Sequence, residues 1–307
     1  MTLSYFIKRI LHLIPTLLIL SFIIFILVRL LPGDPVLVMA GPDATPEILE
    51  EMRDALGLNK PLVTQYVLYL KGLVQGDFGN SLRTHQTVWS EIWRRLPSTL
   101  ELASAGMGLS LLIGITLGIV AALRIGNWVD ISTRVVSLFG VSSPTFWTGL
   151  LFVLAFGYYW RLFPIAGSGG IKFLVLPAVT VSLTSLAFIT RLTRASLLEV
   201  FSQDYIRTAK AKGLPPLWVI LKHALRNALI VPITIAGLEF GRLLGGVIVV
   251  EIIFAWPGIG KLLIDAIQFR DWPVIQGLIL TFSLMFAFVN LIVDLIYPML
   301  DPRIRLT

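Results

Sequence analysis

Cysteine is absent from the 307 residues, so no disulfide and no thiolate metal site contributes to the structure. Charge is scarce too, at 14% Asp, Glu, Lys and Arg, against about 25% in an average soluble domain. Histidine occurs only at His12, His85 and His223, spaced too widely to suggest a catalytic metal cluster. There is no Gly-x-x-x-x-Gly-Lys-Ser/Thr phosphate loop and no Gly-x-Ser-x-Gly nucleophile turn. Neither nucleotide hydrolysis nor acyl-transfer chemistry is therefore written in this chain.

Apolar residues take the place of all these. They make up 56% of the chain, with a mean hydropathy of +0.85, which points to a helical bundle in lipid. The formal charge of +7 then reads as basic cytoplasmic loops rather than a nucleic-acid surface.

The chain opens with Lys8 and Arg9 directly before an apolar run, Ile10 to Val28. At 1.5 Å per residue this run covers a hydrocarbon core of about 30 Å. It is longer than the apolar core of a signal peptide, and no small-x-small cleavage site follows it. The basic pair places the N-terminus in the cytoplasm. Residues 32–97 then form the largest hydrophilic portion. Glu47, Glu50, Glu51 and Asp54 lie on one side and Ile48, Leu49, Met52, Ala55 and Leu56 on the other, the pattern of a short amphipathic helix. A second helix is expected over Pro61 to Val74, and Gly76-Asp77-Phe78-Gly79-Asn80 reads as a turn. This portion reads either as a cap packed on the outer face or as a docking site for an external partner.

Five further spans are expected: Leu102 to Leu123, Val135 to Trp160 with a kink at Ser142-Ser143-Pro144, Phe173 to Thr190, Leu229 to Ile253, and Trp272 to Tyr297. Gly106, Gly114 and Gly118, with Ala103, suit close helix packing in the second span. The fold class is an all-α membrane protein of six transmembrane helices with a helical extracytoplasmic domain between spans 1 and 2. Its parts are residues 1–31 (first span), 32–97 (extracytoplasmic domain), 98–300 (five-span core) and 301–307 (cytoplasmic tail). Six spans put both termini inside. The 191–226 stretch agrees, with Arg191, Arg194, Arg207, Lys210, Lys212, Lys222 and Arg226 against only Glu199 and Asp204.

That basic stretch, residues 191–228, has the most distinctive pattern in the chain. On a helical wheel Tyr205, Ile206, Ala209 and Gly213 fall within about 100° of one another, while Arg207 and Lys210 form a separate side. Ala209 and Gly213 lack bulk, so the wheel predicts a face that another surface approaches closely. Gly213-Leu214-Pro215-Pro216 ends the helix, and a second short helix is expected over Leu217 to Leu229 with Lys222, His223, Arg226 and Asn227 on its polar face. A solvated basic loop held by lipid phosphates is the plainer reading of the same residues.

Asp204-Tyr205-Ile206-Arg207-Thr208-Ala209-Lys210-Ala211-Lys212-Gly213, with His223-Ala224-Leu225-Arg226-Asn227-Ala228 beyond it, resembles the conserved cytoplasmic loop of binding-protein-dependent ABC importer permeases. The general loop begins Glu-Ala-Ala, where this chain has Arg207, Thr208 and Ala209. The usual proline near its end is missing, with Arg226 standing there. These departures resemble the dipeptide/oligopeptide/nickel branch of the family. So do Leu31-Pro32-Gly33-Asp34-Pro35, Leu56-Gly57-Leu58, Gly76-Asp77-Phe78-Gly79, Phe254-Ala255-Trp256-Pro257-Gly258, Arg270-Asp271-Trp272-Pro273-Val274-Ile275-Gln276 and Leu300-Asp301-Pro302-Arg303. The resemblance implies a permease subunit in the inner membrane of a prokaryote. Its partners would be a homologous second permease, two cytoplasmic ATP-binding subunits and an external solute-binding protein. It also implies that Asp204, Tyr205, Ile206, Arg207, Thr208, Ala209, Ala211, Lys212 and Gly213 couple the spans to the ATPase. This chain would bind no cofactor, ATP and magnesium staying on the partner subunits.

The fifth span carries Gly237, Gly241 and Gly245 at every fourth residue, with Glu239 and Arg242 on the other side of the wheel. The glycines are expected to pack on the chain's own bundle. Glu239 and Arg242 are expected to face the translocation pathway, with a purely local ion pair as the alternative. Asn290 and Asp294 read as interhelical hydrogen-bonding groups. Two other functional classes fit the composition: a self-sufficient ion-coupled secondary transporter, for which no internal repeat is evident, and a membrane scaffold without a pathway. Within the family, peptide and nickel or metal-chelate importers share the motifs above, so the substrate stays open.

Overall fold

A computed structural model describes the backbone of residues 3–30, 36, 40, 44–55 and 57–300. The motif at 31–35, Leu56 and the tail 301–307 lie outside the described residues, as do the side chains of Lys8 and Arg9. In chain order the helices are α1 (Leu3–Leu30), α2 (Pro46–Ala55), α3 (Leu62–Val74), α4 (Val88–Leu123), α5 (Trp128–Ser142), and α6 (Thr145–Phe152) with a π-helical continuation Val153–Tyr159. Next come α7 (Ile171–Phe201), α8 (Asp204–Ala211), and α9 (Pro216–Trp218), which runs through a π-helical turn Val219–Ala224 into α10 (Leu225–Ala228). The series ends with α11 (Ile230–Ile253), α12 (Ile259–Gln268) and α13 (Trp272–Leu300).

The all-α membrane fold expected from the sequence is present. Among the described residues, helices α4, α7, α11 and α13 are each long and apolar enough to cross a membrane, and α5 with α6 is an apolar bent pair, the shape of a broken crossing or of a re-entrant loop. Helix α1 has 28 residues, about 42 Å at 1.5 Å per residue, and no Asp, Glu, Lys or Arg between Arg9 and Arg29.

One expectation needs correcting. The third span is not a kinked helix, because α5 and α6 are bent through 105°. Ser143 is extended (φ −82°, ψ 126°) and Pro144 stands at the N-cap of α6 instead of inside a helix. The proline ring disfavours the helical region for the residue before it, and its fixed φ suits the start of a new helix. The chain therefore stops and restarts at this point.

Contacts divide the chain into two compact units. The first is Met1–Ser98 with Pro257–Ala287. Its core gathers Ile24, Val88, Ile92, Ile259, Leu262, Trp272, Ile275 and Leu278, with Tyr69, Leu73 and Phe78 packed against them. Two sequence motifs meet here. The buried carboxylate of Asp271 accepts from Ser81 Oγ (2.5 Å) and from the Leu82 amide (3.1 Å), and Pro273 lies against Gly79. The turn at 76–79 and the 270–276 segment are thus two halves of one contact.

The second unit is Thr99–Trp256 with Phe288–Thr307, and α7 is its axis. The expected glycine packing of the second span is present along one side of α7. A Cβ at Gly106 would lie 2.9 Å from Val181, one at Gly114 3.0 Å from the Leu186 carbonyl, and one at Gly118 2.8 Å from the Thr190 carbonyl. Between them Ser110 Oγ donates to Gly106 O and Ser182 O, each at 2.9 Å. Small residues let the two backbones approach and gain dispersion contacts where lipid offers no hydrophobic drive. Gly140 of α5 and Gly149 of α6 make similar contacts with α7, against Leu183 O and Thr180.

Candidate functional site

The basic stretch folds as two short helical pieces beyond the end of α7. Helix α8 begins at Asp204 and ends where Gly213 takes φ +75°. That left-handed residue turns the chain, and Pro215 and Pro216 start the next piece. Asn227 Nδ2 donates to the Tyr205 hydroxyl at 2.9 Å, tying the second piece back to the first.

Beneath both pieces lies a small core in which Ile206 and Ala209 of α8 pack with Val219, Ala224 and Ala228, against Ala122 of α4 and Leu197 of α7. This corrects the sequence expectation for Ala209. The wheel did place Ile206 and Ala209 on one face, but that face is turned into the chain. Ala209 is small because α8 sits close on the ends of α4 and α7. Gly213 is exposed, and a Cβ there would meet nothing within 4 Å, so its requirement is conformational. The outward surface includes Tyr205, Arg207, Thr208, Lys210 and Ala211 on α8, followed by Lys212, Leu214, Leu217, Trp218 and Leu221. Asp204 pairs loosely with Arg207 at 3.5 Å in full exposure, a contact of little energetic weight.

One residue of this site escaped sequence reasoning. Asp130, in the first turn of α5, is 1% exposed and receives a bidentate contact from Arg194 of α7, Nε to Oδ1 at 2.6 Å and Nη2 to Oδ2 at 2.8 Å. The Gly126 amide adds a third bond at 3.1 Å. Arg194 precedes Leu197 by one helical turn, so the clamp braces α7 immediately beside the small core. From the sequence Arg194 reads only as a charge at the end of a span, because nothing there pairs it with a partner 64 positions away. An acid opening a helix beside a basic stretch was the one available hint.

In α11 the expected glycine stripe holds for half its length. A Cβ at Gly237 would meet Val293 Cγ2 at 2.6 Å and Gly241 is buried, but Gly245 is exposed with open space around it. The correction follows from geometry. Residues four apart advance about 40° around a straight helix, so eight residues carry the stripe about 80° off the packed face. Arg242 Nη1 donates to Glu239 Oε1 at 2.8 Å, with Arg242 73% exposed and Glu239 12%. The local ion pair is therefore formed, and Arg242 shares its uncovered face with Gly245 and Gly246.

Two family descriptions match this chain. "Binding-protein-dependent transport system inner membrane component" covers residues 114–306, and the N-terminal region of the same systems covers residues 2–103. The chain belongs to the binding-protein-dependent ABC importer permeases. The permease is 44% identical over 303 residues, 99% of each chain, to the glutathione transport system permease protein GsiC of Escherichia coli strain K12. The protein of that name from Shigella dysenteriae serotype 1 matches to the same extent. Among solved structures, an amino acid ABC transporter crystallised with histidines superposes with a TM-score of 0.54 at 14% identity, covering 68% of this chain and 94% of that one, a likeness of fold alone. The permease is thus a multi-pass inner-membrane transporter subunit and not an enzyme, with ATP hydrolysis on separate subunits. Its family does not favour the ion-coupled reading.

Proposed function

We propose that this permease forms half of the translocation pathway of an importer for glutathione or similar short peptides. The observation that carries the substrate class is the 44% identity along the full length to glutathione permeases. In this reading an external binding protein delivers the solute, a homologous second permease supplies the other half of the path, and two cytoplasmic subunits hydrolyse ATP with their own magnesium. Both termini of the permease face the cytoplasm.

The geometry of the coupling segment supports a mechanical role. Its outward surface pairs exposed apolar groups, Leu217, Trp218 and Leu221, with a basic rim at Arg207 and Lys212. Its inner surface rests on Ala122 and Leu197, the cytoplasmic ends of α4 and α7. A closing ATPase that pushes on α8 therefore pushes on two spans, because the packed core between them cannot be compressed. Rim charges orient docking, and a buried aromatic supplies most of the affinity.

The test is uptake by vesicles holding the permease assembled with a second permease, its ATP-binding subunits and a binding protein. Labelled glutathione is expected to enter with ATP and the binding protein, and a nickel chelate is not. Uptake of the nickel chelate alone would overturn the substrate reading. Trp218→Ala is expected to release the ATPase on purification while Lys212→Ala retains it. The opposite result would remove the docking surface from this account.

A further inference from the structure

Helix α3 occupies a place that its position in the hydrophilic 32–97 portion does not foretell. Its first two turns grip the last turns of α1. The Tyr66 hydroxyl donates to Leu18 O at 3.1 Å and lies 3.0 Å from Ser21 Oγ, and its ring meets Phe22 and Phe25 edge-on at 5.3 and 5.2 Å. Gln65 Oε1 accepts from Arg29 Nη2 at 2.7 Å and Nε at 3.1 Å.

The depth of these contacts follows from α1. Arg9 and Arg29 are 20 positions apart, about 30 Å along a helix, which matches the hydrocarbon thickness. Arg29 therefore stands at one boundary and Phe22 about 10 Å inside it. Along this stretch α1 exposes Ile19, Phe22, Ile23 and Leu27, its own lipid-facing surface. A helix whose tyrosine reaches Leu18 and Phe22 shares that depth.

The sequence of α3 suits the same place. Val63, Val67, Leu70 and Val74 recur at i, i+4, i+7 and i+11, one strip of a helix. The three valines are each more than half exposed, and the neighbouring strip carries Thr64 and Lys71 with Leu68 between them, all exposed. An apolar strip beside a more polar one is the pattern of a helix lying in the membrane plane, sunk about 5–10 Å into the boundary.

We infer that α3 is membrane-embedded, lying in the plane of the leaflet that the Arg29 end of α1 reaches, with its valine strip against acyl chains. The occupant is lipid because the strip continues the lipid-facing surface of α1, to which α3 is bonded. The 32–97 portion is thereby anchored in the bilayer by its own helix, independently of any docked protein.

The absence of native cysteine makes the test direct. Single cysteines at Val63, Val67, Val74, Thr64 and Lys71 are spin-labelled in the full chain, purified with its accompanying subunits and returned to lipid nanodiscs. The same complex without the added cysteine supplies the background. At the valine positions, collisions with oxygen are expected to exceed those with a water-soluble nickel chelate severalfold, with the reverse at Thr64 and Lys71. Nickel-chelate access at the valines equal to that at Thr64 would put α3 in water and overturn the inference. Shielding from both reagents would mean that a protein covers the strip, and would overturn it equally. Three separate valine sites keep the reading available if one variant fails to assemble.

Discussion

At single positions the structure separates glycines that need space from a glycine that needs its backbone. Gly213 has open space and φ +75°, so a side chain there costs about 1–2 kcal/mol of backbone strain. Asn, which tolerates the left-handed region, is expected to be mild. Gly213→Val should therefore lower the melting temperature of the purified permease, and Gly213→Asn should barely move it. Equal losses from both would mean that volume matters, as a docked surface would require. Ala209→Leu, by contrast, overfills the small core under α8 and should destabilise the permease whether or not the ATPase is bound. Gly237 and Gly118 differ in a second way. A Cβ at Gly237 strikes the end of a side chain, Val293, whereas at Gly118 it strikes the Thr190 carbonyl as well as Thr193. Each alanine substitution is expected to cost about 1–3 kcal/mol by overpacking. Val293→Ala should recover most of the loss at Gly237, while no side-chain trimming should recover Gly118→Ala, as thermal melts of the single and double variants will show.

Between elements, the Asp130–Arg194 clamp carries the clearest asymmetry. Asp130 is 1% exposed and Arg194 20%, so the two truncations leave different orphans. Arg194→Met leaves the buried carboxylate with only the Gly126 amide and the distant Arg134, 3.7 Å away, and breaking a buried pair in this way costs up to about 3–5 kcal/mol. Asp130→Asn leaves a guanidinium that can still reach water and an amide that can still accept from Gly126, so the smaller loss is expected there. Arg194→Lys keeps the charge but loses the two-point geometry, and should fall between them. Steady-state permease in membranes and its melting temperature read this order, and Asp130→Asn proving the most damaging variant would contradict it. The clamp sits one turn from Leu197, so ATP hydrolysis measured in the assembled complex should become poorly coupled to uptake before the permease is lost altogether.

For the whole molecule, the sequence carried the long apolar helices α4, α7, α11 and α13, the second-span glycine packing and the short helical pieces beyond α7, because hydropathy and residue volume repeat at the helical period. It did not carry which face of a helix belongs to the chain and which to a partner. Ile206 and Ala209 share a face on any wheel, and only the ends of α4 and α7 show that it points inward. The break at Pro144 was hidden because a proline in a span kinks or breaks it according to the backbone of the residue before. The same limit bears on α11, where the uncovered face carries Arg242 with Gly245 and Gly246. An arginine at the middle of a span costs about 2.5–3.5 kcal/mol against lipid, and here Glu239 offsets only part of it. That cost is avoided if the face meets a second permease or a water-filled path, and in the first case this chain would be half of a structure completed in trans. Arg242→Gln is then expected to cut uptake severalfold while the ATPase still copurifies, and Gly246→Leu to weaken association of the two permeases. Should both variants assemble and transport normally, the face belongs to lipid after all, and the pathway must run along another side of the permease.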